Sequence, residues 1–186
     1  MRGTVMHAVG SAQDAKEEGL RLFEQGLYQE AVDRFAQAHE MFVAADDDVG
    51  AAQALNNLGV SHRMLRDWGR AAAALEEARV AFSQLGDRER EAQVLGNLGA
   101  LHASQGRREM AKTRLQEAAK QFADLGDGQR RGETLLALGV QLWKSGDRQE
   151  GLATYHAGLQ ALTKPSVGQK ALRSLLSLSS RLLGGG

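Results

Sequence analysis

The chain has no cysteine and a single proline, Pro165, and only 5% of its 186 residues are aromatic. Without cysteine there is no disulfide framework, no thiolate metal site and no cysteine nucleophile, while the compartment stays open. With one proline, and with abundant Ala, Leu, Gln, Glu and Arg, long stretches are free to be helical. An excess of charge is missing too: 23 bases face 23 acids, for a formal net charge of zero. Binders of nucleic acid or of membrane surfaces normally carry a basic excess, so neither partner is expected. No apolar run approaches the roughly 20 residues of a membrane span. The opening stretch MRGTVMHAVGSAQDAKEE lacks the apolar core of a signal peptide, so the expected location is cytoplasmic.

What the chain does have is repetition. Gly19, Gly59, Gly99 and Gly139 stand 40 residues apart, and most of the sequence repeats in step without gaps. Ala31, Ala71 and Ala111 recur, with Gly151 in the fourth copy; Phe42, Phe82 and Phe122 recur, with Leu162 in the fourth. Fixed-period self-similarity of this length points to stacked modules rather than a globule around one core.

Within the second copy, Leu55, Leu58, His62 and Leu65 share one helical stripe. Gly59 lies beside it. A helical glycine costs about 1 kcal/mol relative to alanine, so its recurrence calls for a packing reason: close approach of a neighbouring helix. A turn at Arg66–Asp67 follows, with Asp67 able to cap the next helix. That helix carries Ala71, Leu75, Ala78 and Phe82 on one face, and Gly86 ends it in the manner of a left-handed cap. In the first copy, Glu18 takes the slot held by Leu58, Leu98 and Leu138. The slot packs on the preceding copy, and a charge there suits a terminal repeat.

After Pro165 the sequence period stops. SVGQKALRSLLSLSSRLL places Leu172, Leu175, Leu176, Leu182 and Leu183 on one side of a helix, with Leu178 off the stripe. This segment is expected to cap the last repeat, with a partner-binding or dimerising helix as the alternative. The expected organisation is a flexible segment 1–12, four helical pairs over about 13–47, 48–87, 88–127 and 128–163, a capping helix over 166–183 and a flexible tail 184–186.

The Leu…Leu-Gly…Ala…Leu…Ala series resembles the tetratricopeptide repeat. The usual repeat has 34 residues; the extra six are expected to lengthen helices near Gly86 and Gly126. Asn57-Leu58-Gly59 and Asn97-Leu98-Gly99 are similar to the 40-residue repeats of Pins-type G-protein regulators, and ALNNLGVSHRMLRDW is similar to kinesin light chain repeats. The resemblance implies an all-α fold: a right-handed superhelix of four such hairpins plus the C-terminal helix. It also implies that the first helix of each pair lines a concave face. Lys16 of the first copy would lie there, with Gln53, Asn56, Asn57, Val60 and Arg63 of the second. Asn97 and Ala100 of the third and Val140, Trp143 and Lys144 of the fourth would complete it. Asn57 and Asn97 occupy equivalent slots, and a ladder of amides suits an extended peptide backbone. Arg63, Lys144 and Trp143 would add charge-assisted bonds and an aromatic anchor. The alternative is that both asparagines bond only to neighbouring helices or water. The clamp for chaperone tails wants Lys, Asn, Asn, Lys and Arg, whereas the slots here hold Lys16, Leu20, Asn57, Gln93 and Asn97. Chaperone tails are therefore not expected.

Catalytic chemistry finds little footing. His62 and His102 fall at one repeat slot facing the paired helix, which suits packing; no histidine has a partner at zinc-helix spacing. Asp46-Asp47-Asp48 reads as a solvated turn with an N-cap. There is no nucleophile elbow or phosphate loop. The expected role is a non-enzymatic scaffold without cofactor or metal, binding a protein or peptide partner in the groove. Self-association through terminal faces or the Leu-rich helix, and a peptide-sensing regulatory module, are the alternatives.

Overall fold

The structure is a computed structural model that describes the backbone over residues 2–183 and side chains over residues 11–174 and at 176. Among the described residues it is all helix: α1 (Arg2–Glu24), α2 (Tyr28–Ala44), α3 (Asp48–Met64), α4 (Trp68–Gln84), α5 (Arg88–Ser104), α6 (Arg108–Asp124), α7 (Gly128–Ser145), α8 (Arg148–Ala161) and α9 (Val167–Leu183). The chain divides into two compact units, Met1–Leu101 and His102–Gly186.

The spacing of the turns is finer than the sequence period. Gly26, Asp46, Arg66, Gly86, Gly106, Gly126 and Gly146 stand every 20 residues, and all have positive φ. Each sits just past a helix end, where a left-handed residue lets the chain reverse. The next residue then serves twice. The Asp87 N–H closes α4 on the Phe82 carbonyl at 2.9 Å, while its carboxylate accepts from the Arg90 N–H at 3.0 Å to open α5. Asp47, Asp67 and Asp127 act the same way on Gly50, Arg70 and Arg130. Asp147 caps α8 without such a side-chain bond. Helices α2 to α6 are each 17 residues long.

Helix α1 starts at Arg2, and no proline or left-handed turn residue interrupts the described chain before Gly26. Helix α9 opens at Val167, within a residue of the place that follows Asp48, Arg88 and Gly128 by 40-residue steps. Gln129 fixes this exit by accepting from the Thr163 and Lys164 N–H groups at 3.2 and 3.0 Å.

The core of the first unit joins α3, α4 and α5 through Leu55, Leu75, Ala78, Phe82, Val94, Leu98 and Leu101, with Leu58 half-buried against it. Phe42, Ala51 and Ala54 join α2 to α3. In the second unit Leu115, Leu138 and Leu142 link α6 to α7. The recurrent glycine does what its slot requires. A Cβ at Gly59 would lie 2.6 Å from Leu75 Cγ, and one at Gly19 would lie 2.6 Å from the Phe35 ring. In α9, Leu172 is exposed rather than covered, and Leu176 is half-buried. The side chains of Leu175, Leu178, Leu182 and Leu183 lie outside the described residues.

Candidate binding groove

In the first unit, one face of α3 is flanked by α1 and α5. Two neighbouring cavities open along it, of about 230 and 210 Å³. Both are lined by Leu20, Asn56, Asn57 and Gln93. The first continues to Lys16, Gln53 and Arg90, the second to Phe23, Val60 and Asn97. The groove therefore grades from a cationic, amide-rich end to an apolar one.

Its polar groups are partly committed to each other. Lys16 donates to Gln53 Oε1 at 2.8 Å and lies 5.5 Å from the centre of the Phe42 ring. Burial pushes its ammonium below the ordinary lysine range, against the pull of the Asp47 and Glu17 charges and with the push of Arg90. Arg90 is paired with Asp87. Asn97 Nδ2 donates to Asn56 Oδ1 at 2.8 Å, tying α5 to α3. Asn56, only 7% exposed, donates on to Asn57 Oδ1 at 3.4 Å. The expected ladder of Asn57 and Asn97 is thus a three-residue chain whose middle member is Asn56. Asn97 is used as an inter-helix bond, and Asn57 ends the chain with no described residue accepting from its own amide N–H groups.

The other expected groove residues are scattered. Val60 lines the apolar end. Arg63 lines neither cavity: it is half-buried, its Nε has no hydrogen-bond partner among the described residues, and burial pushes its guanidinium pKa down while Tyr28 opposes the shift. Ala100 is half-buried and also lines neither. Val140, Trp143 and Lys144 lie in the second unit, on a separate cavity of about 230 Å³ shared with Gly139, Gly151, Leu152 and Tyr155. Sequence reasoning did not flag Phe23, Phe35 and Arg90 at the groove, nor Leu152 and Tyr155 at the second cavity. Equivalence of repeat slots carries the signal, since Phe35 and Tyr155 share one slot with Leu75.

The two histidines at one repeat slot are each 6% exposed. His62 Nδ1 lies 3.7 Å from Asp67 Oδ2. Burial holds the His62 pKa below the ordinary histidine range, with Asp67 opposing and Arg70 assisting. No group of three or more metal-ligating side chains occurs among the described residues, and none of their helices is long and apolar enough to cross a membrane.

Consecutive helical hairpins with a glycine at each described first-helix crossing define a helical-repeat fold. Residues 19–82 match the family model described as tetratricopeptide repeat. Among solved structures it is similar to the crystal structure of BtubC (BKLC) from P. vanneervenii, at 22% identity and a TM-score of 0.73. The match covers 81% of this chain and 62% of that one, so the chain spans less than two thirds of the structure it resembles. At this identity the likeness establishes the fold. No curated protein matches the sequence.

Proposed function

We propose that the chain is a non-catalytic interaction scaffold whose first unit holds an extended segment of a partner protein along α3. The observation that carries this is Asn57. Its amide faces a cavity with free donors while its oxygen is tied into the Asn56–Asn97 chain, which fixes the orientation of the amide plane. A backbone carbonyl of an extended segment fits such a donor, Leu20 and Val60 supply apolar shelves, and Lys16 gives a cation at one end. Gln53, Asn56 and Asn97 position these groups rather than reach for the ligand.

Selection of peptides from a phage-displayed random 12-residue library tests the reading. Selected peptides should bind the native chain and lose at least tenfold in affinity to Asn57→Ala, with helicity by circular dichroism unchanged. Asn57→Ala with Asn97→Ala should lose more; the single variant removes the acceptor of the buried Asn56 amide and the double variant also removes its donor, so urea unfolding of both variants separates the structural part of each loss. Peptides indifferent to Asn57→Ala would move the site elsewhere.

A further inference from the structure

The repeat slots reveal a face in the second unit that lacks its usual cover. In the first pair, the slot of Phe35 is only 1% exposed, and α3 lies beside it through Asn56 and Val60. In the second pair, the same slot is Leu75, fully buried with Val94, Leu98 and Leu101 of α5. In both, the first helix of the following pair closes the crevice. In the last pair the slot is Tyr155, half-buried, and around it Val140, Trp143 and Leu152 are 39%, 52% and 48% exposed. No described residue of α9 lines the cavity between them, although α9 stands in the chain where the next first helix belongs.

Charge indicates why α9 is a poor cover. Lys144 lines the cavity and Arg148 stacks 5.7 Å from the Trp143 ring centre, and neither has a carboxylate partner among the described residues. The nearby Glu150 faces Lys112 at 3.7 Å. Helix α9 carries Lys170, Arg173 and Arg181 and no acid, so docking it here would bring like charges together. Stacking the first helix of a second copy fares no better, since Glu18 occupies the slot that would have to be buried and is engaged with Arg21. We infer that the Val140–Trp143–Leu152–Tyr155 face receives an amphipathic helix of a different protein, with bulky apolar side chains along one stripe and acidic residues at the edge that meets Lys144 and Arg148. The bound helix would sit as the first helix of a fifth pair. This face is separate from the α3 groove, and the inference stands whether or not that groove binds a peptide.

The full-length chain with Trp68→Phe leaves Trp143 as the sole indole reporter. The probe is a synthetic peptide of residues 88–104, the helix that closes the equivalent face on Leu75, carrying Ala103→Glu and Ser104→Glu to supply the acidic edge at the end that meets Lys144 and Arg148, as Arg63 at the end of α3 meets Tyr28 in the slot of Arg148. Titration should shift Trp143 emission to the blue and saturate. The unmodified 88–104 peptide should bind at least threefold more weakly. Leu152→Glu in the chain should weaken binding at least tenfold, and Lys144→Glu should reverse the preference between the two peptides. No shift up to 1 mM peptide, or a shift that survives Leu152→Glu, would overturn the inference. So would Trp143 emission that is already blue-shifted at every dilution, meaning that the chain covers itself. Emission that follows protein concentration without peptide would assign the face to a second copy, and that too would overturn it.

Discussion

The second and fourth helical pairs share one slot pattern and pack in different ways. In the second, Gly59 accepts a side chain: Leu75 lies across it and fills the space between α3 and α4. In the fourth, Gly139 accepts backbone. A Cβ there would lie 2.8 Å from both the Gly151 carbonyl oxygen and the Tyr155 nitrogen, and Gly132 and Gly158 meet as closely further along. Substituting Gly151 for the usual alanine brings α7 and α8 nearly into contact. No room is left for a bulky side chain between them, so Tyr155 sits at the rim where Leu75 is interior. The second pair thus has an interior filled by leucine, and the fourth, where Gly139 and Gly151 and then Gly132 and Gly158 let backbone meet backbone, has an apolar edge turned outward. The same slots carry Asn57 and Arg63 in α3 but Ala137 and Trp143 in α7, so the first pair of residues suits polar contacts and the second apolar ones.

Several substitutions would break or sharpen this contrast. Leu75→Ala removes a fully buried side chain and should cost about 3 kcal/mol in urea unfolding, whereas Tyr155→Ala should cost about 1 kcal/mol. Equal losses would mean that the two pairs are packed alike. Gly139→Ala should come next, at about 2 kcal/mol, because the added Cβ meets backbone that cannot turn aside. Gly59→Ala meets one buried side chain, Leu75, where Gly139→Ala meets three backbone atoms, and it gains helix propensity, so it should cost about 1.5 kcal/mol; a reversed order would refute the backbone-contact account of the last pair.

The smallest effect concerns caps. Asp127→Ala should cost about 1 kcal/mol and Asp147→Ala clearly less, because only Asp127 accepts from a helix-opening N–H through its side chain. The hydrogen bond from the Arg130 N–H, opposed by burial and helped by the Arg130 guanidinium, holds the Asp127 carboxyl below the ordinary carboxylate value of 3.8. Its stabilisation is therefore complete above the ordinary range and is lost as pH falls through the depressed native value. Thermal melts of Asp127→Ala and the native chain should converge at the acid end and separate toward neutral pH. Separation that persists unchanged in strong acid would remove the carboxylate from the explanation.

Much of this is legible in the residues. The glycine series announces close helix crossings, Leu58, Leu98 and Leu138 announce stacking, and Asp47, Asp67, Asp87 and Asp127 announce the caps, because each requirement is local to a turn or a helical stripe. The helical nature of residues 2–12 is not, since weak helix formers there carry no stop signal either. Nor is the role of Asn56. Its neighbour Asn57 holds the repeated slot, yet Asn56 is the buried residue that Asn97 bonds, and a bond between residues 41 apart leaves no trace in either local pattern. Asn57 and Val60 can be placed on one face of α3 by helical period, and Leu20 in the slot of Val60 by the 40-residue repeat; that Arg63 lies near Tyr28 and away from the cavities cannot be read this way.

The sequence by itself determined the helices, their pairing in 40-residue units and the residues that stop and restart them, because these follow from propensity, periodicity and turn geometry along the chain. Only the tertiary structure decided which amides are spent on each other and which face inward space, and which apolar slots are covered. Those outcomes depend on how near one helix comes to the next, and that distance is set by side chains from several helices acting together.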